Sequence, residues 1–319
     1  MSVVKKIMKH NEMGVLIPLL LLWIITYIAN NAFFSAYNMI ALFRTVSISL
    51  LGAIGAAFCF SCGMMDLSAG SVYGLAGMVA GIFMADFGLP VPVAIIAGLL
   101  MGVIFGIING IIINYLGLPA FIATLGTSYI ARGVVNVISQ GSAKYGFPDS
   151  FTFLGGSGLL GIPWSIYIAL ILAVIAAYVL KYTIYGRQLL AVGGNPETAR
   201  VCGINVIRVR NIAYIISGVM CALAGILQTA RLATAQSTAG NGWEMTIIAA
   251  TIIGGVSMYG GSTTISGTVI GVTLMETLTV SMTMLKVNAY WQKVAVGIVI
   301  ILAVTIDTYR RKSMSAGKG

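Results

Sequence analysis

The stretch Tyr185–Arg210, YGRQLLAVGGNPETARVCGINVIRVR, lies between two apolar runs: IYIALILAVIAAYVL at Ile166–Leu180 and IAYIISGVMCALAGIL at Ile212–Leu227. Each run approaches the roughly 20 residues a helix needs to cross a bilayer. A long polar, basic segment between two such runs must sit in water, so the chain leaves the membrane here and returns to it.

The rest of the sequence extends that pattern. Of 319 residues, 59% are hydrophobic and only 8% are charged, and the mean hydropathy is +0.99. A soluble domain carries about 25% charged residues, so this surface is not built for water throughout. The apolar runs are continuous and lack the alternation of a membrane barrel, which leaves helices as the spanning form. The fold class expected is an all-α polytopic membrane protein.

A net charge of +10 raises the question of nucleic acid, and the distribution answers it. Lys5, Lys6 and Lys9 precede the first apolar run; Lys181, Arg187, Arg200, Arg208 and Arg210 lie in or beside the central segment; Arg310, Arg311, Lys312 and Lys318 close the chain. These are twelve of the eighteen basic residues. Such clustering is what the positive-inside rule expects of cytoplasmic ends and loops, and it points to a membrane-lipid environment and no nucleic-acid partner. Cys59, Cys62, Cys202 and Cys221 form no disulfide framework, and Cys59-x-x-Cys62 falls in an apolar segment where small hydrophobic packing is the expected role. The single His10 lies near the terminus, so no metal site is expected. Val15–Ile28 is long for a signal-peptide core and lacks a small-x-small cleavage pattern, and it reads as a retained first span.

Spans are expected near 14–34, 45–64, 70–86, 91–114, 120–138, 164–181, 211–230, 244–257, 265–285 and 290–308. Six crossings from a cytoplasmic N-terminus return the central segment to the cytoplasm, and four more return the C-terminus there. About ten helices, with both termini cytoplasmic, satisfy all three basic clusters. Two of the spans are irregular. Gly63–Ser71 interrupts the second apolar region with Asp66, Ser68 and glycines, and the short run Glu244–Ser257 is followed by Tyr259-Gly260-Gly261-Ser262. Such breaks are tolerated at membrane depth where they are buried in protein or line a cavity, and in corresponding halves they mark a transport pathway. Ordinary inter-helix turns are the alternative. Gly98, Gly102, Gly106 and Gly110 recur every fourth residue, a spacing that lets helix backbones approach closely; Gly70/Gly74 and Gly267/Gly271 repeat it. The segment 139–163 is the longest expected extracytoplasmic loop and is placed to receive a partner.

The central segment carries its own punctuation. Asn195 suits a helix N-cap, Pro196 the first helical position, Glu197 the positive helix end and Gly203 the left-handed stop. A helix of about two turns between polar arms is expected.

These residues also carry a resemblance. YGRQLLAVGGNPETARVCGINV resembles the cytoplasmic loop of ribose-type permeases of ABC importers, which read roughly FGR-x-x-x-A-x-G-G-N-x-x-A-A-x-x-x-G-I-N. The likeness continues in Pro119–Thr127, Ile130–Gly133, Ala224-Gly225, Thr229–Leu232, Ile253–Gly255 and Gly260–Ser262, in order, from Leu51 to Asp307. It implies a single transmembrane permease domain over 1–319, with a cytoplasmic coupling loop at about 182–210, in a bacterial cytoplasmic membrane. It further implies a partner ABC ATP-binding subunit that uses ATP and Mg, an extracytoplasmic sugar-binding protein, and a second permease copy or paralogue. The coupling contacts would be Asn195, Pro196, Glu197, Ala199 and Arg200, with Gly186, Arg187, Gly193, Gly194 and Gly203 in the same loop. One departure stands out: the family's Gly-Gly-Ile-Asp-Leu-Ser is here Gly63-Met64-Met65-Asp66-Leu67-Ser68, which argues against close backbone approach at Met64.

Asp66, Ser68, Asn109 and Thr124 are pathway candidates. Two readings of Asp66 stay open, a cap for a half-helix beginning at Leu67 and an intramembrane acid with a functional role. Arg132 and Arg231 either snorkel from span ends or gate the outer mouth. Asn109 and Asn114 line the pathway or end their helix, and Glu276 faces protein with an unknown partner. The chain lacks a phosphate-binding loop, its only Gly-Lys being Gly317-Lys318, so ATP would be handled elsewhere. It also lacks a G-x-S-x-G elbow, so no enzyme activity is expected of it. The rival reading is an ion-coupled secondary transporter or channel for small polar solutes, for which Asp66 and Glu276 would be the coupling acids.

Overall fold

The computed structural model describes residues 13–156 and 158–316. Lys5, Lys6, Lys9, His10 and Lys318 lie outside the described residues, as do the side chains of Arg310, Arg311 and Lys312. Thirteen α-helices are described. Among the described residues the only β pairing is an isolated antiparallel bridge between Lys144 and Ala235.

In chain order the helices are α1 Met13–Ala29, α2 Ala36–Ser61, α3 Ala69–Ala85, α4 Val91–Asn114, α5 Ala120–Ser139, α6 Asp149–Gly155, α7 Trp164–Tyr182, α8 Ile184–Gly194, α9 Pro196–Val201, α10 Val206–Leu232, α11 Trp243–Ile253, α12 Ile265–Met284 and α13 Ala289–Ala316. Six of them, α2, α4, α5, α7, α10 and α12, are long and apolar enough to cross a membrane. Four shorter apolar stretches, Val15–Ala29, Ala69–Ala85, Trp243–Ile253 and Ala289–Thr305, stand at the other expected spans.

The glycine stripe builds the centre. A methyl group added at Gly106 would sit 2.7 Å from both Ile215 Cα and Tyr214 O. The same addition at Gly102 would strike the Gly218 backbone, and at Gly110 it would lie 2.8 Å from Asn211 Oδ1. The spacing therefore seats α4 against α10 with almost no side chain between them, which is how helices gain dispersion contact where lipid supplies no hydrophobic drive. Gly70 and Gly74 admit the backbone at Gly240 and Ala239, and Gly267 and Gly271 admit Gly254 and Ala250. Helices α2, α3 and α10 form the buried middle, while α5 and α7 leave much of their apolar surface outward.

Three expectations need correction. The span expected at 211–230 begins earlier, because Asn205 accepts from the Arg208 N–H and caps a helix that already contains Arg208 and Arg210. The first span does not run to residue 34: α1 ends at Ala29, and Asn30 caps a separate 3-10 turn over Asn31–Phe34. The segment 139–163 is not an open loop. It is pinned by the Lys144–Ala235 bridge, by the Lys144–Asp86 ion pair at 2.6 Å, and by α6, whose Gly155 abuts the backbone at Arg231.

Candidate functional site

Two constellations answer to the expected site residues. The first is the break after α2. Cys62–Ser68 leaves the helical path, and α3 starts at Ala69 with Ser68 in the cap position. The half-helix therefore does not begin at Leu67. Asp66 nevertheless organises the turn. Its Oδ1 accepts from the Ser68 N–H at 2.9 Å and the Ser68 hydroxyl at 2.6 Å, and its Oδ2 accepts from the Ser217 hydroxyl of α10 at 2.7 Å. Ser68 Oγ in turn accepts from Asn109 Nδ2 of α4 at 2.9 Å, and Asn109 Oδ1 accepts from Thr127 Oγ1 of α5 at 2.6 Å. All five residues are buried.

A polar group removed from water without a partner costs a few kcal/mol, so a closed network like this one fixes the register of every element it joins. It ties the break to α4, α5 and α10 together. Of the four pathway candidates, Asp66, Ser68 and Asn109 meet. Thr124 does not join them: it is fully buried, and its hydroxyl donates to Ala120 O one turn back. Thr127 takes the place expected of Thr124, and Ser217 completes the set. Residue type could not separate the two threonines, because only the crossing of α4 and α5 decides which one faces Asn109. Asn114 lies apart, donating to Asn211 Oδ1 at 2.7 Å. Met64 is part-buried beside the core, and the backbone at Tyr259 O comes close to the neighbouring Gly63.

The second constellation is the central segment. Asn195 Oδ1 accepts from the Glu197 and Thr198 N–H groups, each at 3.0 Å; Pro196 opens α9; and Gly203 follows it with φ +81°. Glu197 and Arg200 pair at 3.2 Å on an exposed face, and Ala199 is buried beneath it. The N-terminal arm, however, is not an arm. It is helix α8, opened by Thr183, whose hydroxyl accepts from the Gly186 N–H. Gly186 packs against the carbonyls that end α7, while Arg187 reaches back towards Tyr182 O. The sequence signal for α8 was the apolar spacing of Leu189 and Val192, both fully buried.

Helix α8 meets both breaks at its C-terminal end. A methyl group at Gly193 would strike Ser61 O, at the end of α2, and would come within 2.5 Å of Gly261 N, in the loop after α11. Gly261 N–H itself donates to Ser61 O at 3.1 Å, and Gly260 lies against the Gly193 backbone, whereas Gly194 is open beside it. Higher up, the Tyr185 ring stacks on Phe58 of α2 at 6.4 Å and 15°, and its hydroxyl donates to Val209 O. Burial pushes the Tyr185 phenol well above its ordinary range, so it remains a donor at any physiological pH. The central segment, the end of α2 and the loop after α11 thus share one backbone junction.

The remaining candidates are turned into protein. Arg132 donates to Ser237 O and Ala239 O, and Arg231 donates to Thr45 Oγ1, so neither snorkels free. Glu276 finds its partner in Ser49, whose hydroxyl donates to Oε1 at 2.6 Å. Among the described residues no three His, Cys, Asp or Glu side chains gather as a metal cluster.

Comparison with known proteins adds extent to this geometry. Residues 38–304 match the family model described as branched-chain amino acid transport system / permease component. The chain is 39% identical over 306 residues to the ribose import permease protein RbsC of Bacillus subtilis, covering 95% of this chain and 94% of that protein. It is 36% identical over 275 residues to the D-allose transport system permease protein AlsC of Escherichia coli K12, covering 86% and 84%. It is 34% identical over 303 residues to the L-arabinose transport system permease protein AraH of the same strain, covering 95% and 92%.

Proposed function

Because the chain belongs to this family of transport-system permease components, we propose that it is the membrane-spanning subunit of an ATP-driven importer that carries a monosaccharide into the bacterial cytoplasm. The observation that carries the substrate class is the near full-length similarity to permeases named for ribose, allose and arabinose. The family description speaks of branched-chain amino acids, so leucine is the natural control substrate.

The multi-pass reading has ten crossings: the six long helices and the four shorter apolar ones. Placing the C-terminus on the side of the central segment is supported by the Met258 N–H, which donates to Asp307 of α13 from the loop that also touches Gly193. On that side α8 and α9 form the coupling element. The exposed face of α9, with Glu197, Arg200 and Val201, is free to seat in an ATP-binding subunit that holds ATP and Mg. Asn195, Pro196 and Ala199 set that face in place, and Gly203 ends it. Motion of the ATP-binding subunit would pass through Gly193 to the ends of α2 and α11, the two interrupted spans, in a rigid-body switch between inward and outward states. A soluble binding protein delivers the sugar from the other side, and a second permease copy or paralogue completes the pathway.

Reconstitution tests the whole reading. Proteoliposomes holding this chain with its ATP-binding subunit should import D-ribose or a related monosaccharide, and not leucine, only when binding protein and ATP are both supplied. Uptake driven by an ion gradient without the ATP-binding subunit would replace this function with secondary transport. Within the complex, Glu197→Lys and Gly203→Pro should each abolish most ATP-dependent uptake while membrane insertion stays normal. Full uptake and full subunit association in both variants would remove α9 from the coupling role.

A further inference from the structure

The geometry points to a second polar site that the network around Asp66 does not include: a monosaccharide-binding cavity between α2, α3, α10, α11 and α12, built on Trp243, Tyr73, Gln228, Thr246 and Glu276. The inference rests on the reading that the cargo is a sugar, and it names where that sugar is held inside the chain.

The cavity is a half-open cleft with a volume of about 230 Å³, the order of size of one monosaccharide. A void at membrane depth lined by aliphatic side chains would stay dry and empty. This one is lined by a carboxyl, an amide, several hydroxyls and two aromatic rings, contributed by five helices. Such groups are costly inside a membrane protein unless something hydrogen-bonds to them.

Part of the lining is fixed from behind. Trp243 Nε1 donates to Ser49 Oγ at 3.2 Å, and Ser49 donates to Glu276 Oε1 at 2.6 Å. The indole is seated on Gly52, where an added methyl group would collide with Trp243 Cη2. The Tyr73 and Trp243 rings stand 4.5 Å apart at 37°, so the aromatic corner is rigid. The other part of the lining is unengaged. Among the described residues the Gln228 amide, the Thr246 hydroxyl and the second oxygen of Glu276 have no hydrogen-bond partner, and all three residues face the same cavity.

That division is the chemistry of polyol recognition. Amphipathic rings cover the C–H face of a sugar. A few placed polar groups, one of them an acid, fix the orientation of its hydroxyls. The ligand class is therefore a monosaccharide, held by its hydroxyls and by one C–H face.

Uptake by the reconstituted complex, with D-ribose, D-allose and L-arabinose as probes, tests this assignment. Gln228→Leu and Thr246→Val are each expected to lower the rate at saturating binding protein by about tenfold, with the complex recovered intact. Thr246→Ser, which keeps the hydroxyl, should restore at least half of it. Wild-type rates in both Gln228→Leu and Thr246→Val would overturn the site, as would Thr246→Ser losing as much as Thr246→Val, since shape rather than the hydroxyl would then matter. If the unaltered complex imports none of these sugars, the sugar reading itself fails and the site falls with it.

Discussion

The chain interrupts its helices in two different ways, and the contrast between them explains how it is organised. In the break at Cys62–Ser68 the turn is held from outside, by hydrogen bonds that reach Ser217 on α10 and, through Ser68, Asn109 on α4 and Thr127 on α5. In the segment Thr183–Asn205 each helix end is capped from within three residues: Thr183 serves Gly186, Asn195 serves Glu197 and Thr198, and Asn205 serves Arg208. The Ser68 N–H is served locally by Asp66, but the buried polar side chains of the break have no water to fall back on and take partners from neighbouring helices. Exposed backbone has water, so local caps suffice.

The sharpest way to break that contrast is at Asp66. Asp66→Ala strands the Ser217 hydroxyl and the Ser68 N–H in a buried site, and should destabilise the fold by about 3 kcal/mol. Thermal unfolding in detergent reads this directly. Asp66→Asn keeps an acceptor for Ser68 and should recover more than half of the loss. An Asp66→Ala protein no weaker than an Asn195→Ala protein would mean that the network does not hold the break.

Gly193→Ala comes next, because Gly193 sits where the two kinds of interruption touch. The methyl group must displace backbone at Ser61 and Gly261, at a cost of about 2 kcal/mol. Uncoupled ATP hydrolysis in the assembled complex should accompany that loss. Gly194→Ala is the control, since nothing lies within 4 Å of an added methyl there. Equal behaviour of the two alanine variants would sink the junction.

Asn195→Ala removes a local cap and should cost about 1 kcal/mol. Faster hydrogen exchange confined to residues 196–202 is the expected signature, and faster exchange spreading into α10 would show that the segment is less self-contained than its caps imply. The smallest effect belongs to Glu197→Ala. Its ion pair with Arg200 is exposed, and such pairs contribute less than about 1 kcal/mol. Unfolding should be unchanged within error, while affinity for the ATP-binding subunit falls.

Legibility in the sequence followed the same division. Asn195, Pro196 and Gly203 announced α9 because capping is a matter between neighbours in the chain. Helix α8 was missed because Gly186, Gly193 and Gly194 made the stretch read as a loop. Gly186 and Gly193 are there for the close approach of α7, α2 and the loop after α11, whereas Gly194 is open. Thr124 was chosen over Thr127 for want of any local signal, and Glu276 had no partner until Ser49 was placed beside it, 227 residues away.

By itself the sequence determined the membrane class, the spacing of apolar helices, the glycine stripe and the self-capped α9, because hydropathy, periodicity and capping are short-range properties of a chain. The crossing of the helices alone decided which hydroxyls meet Asp66, that Gly193 touches the end of α2 and the loop after α11, and that Trp243, Gln228 and Glu276 share one cavity. Those facts depend on how helices cross, and a buried polar group can take its partner from any helix that the crossing brings within hydrogen-bond reach.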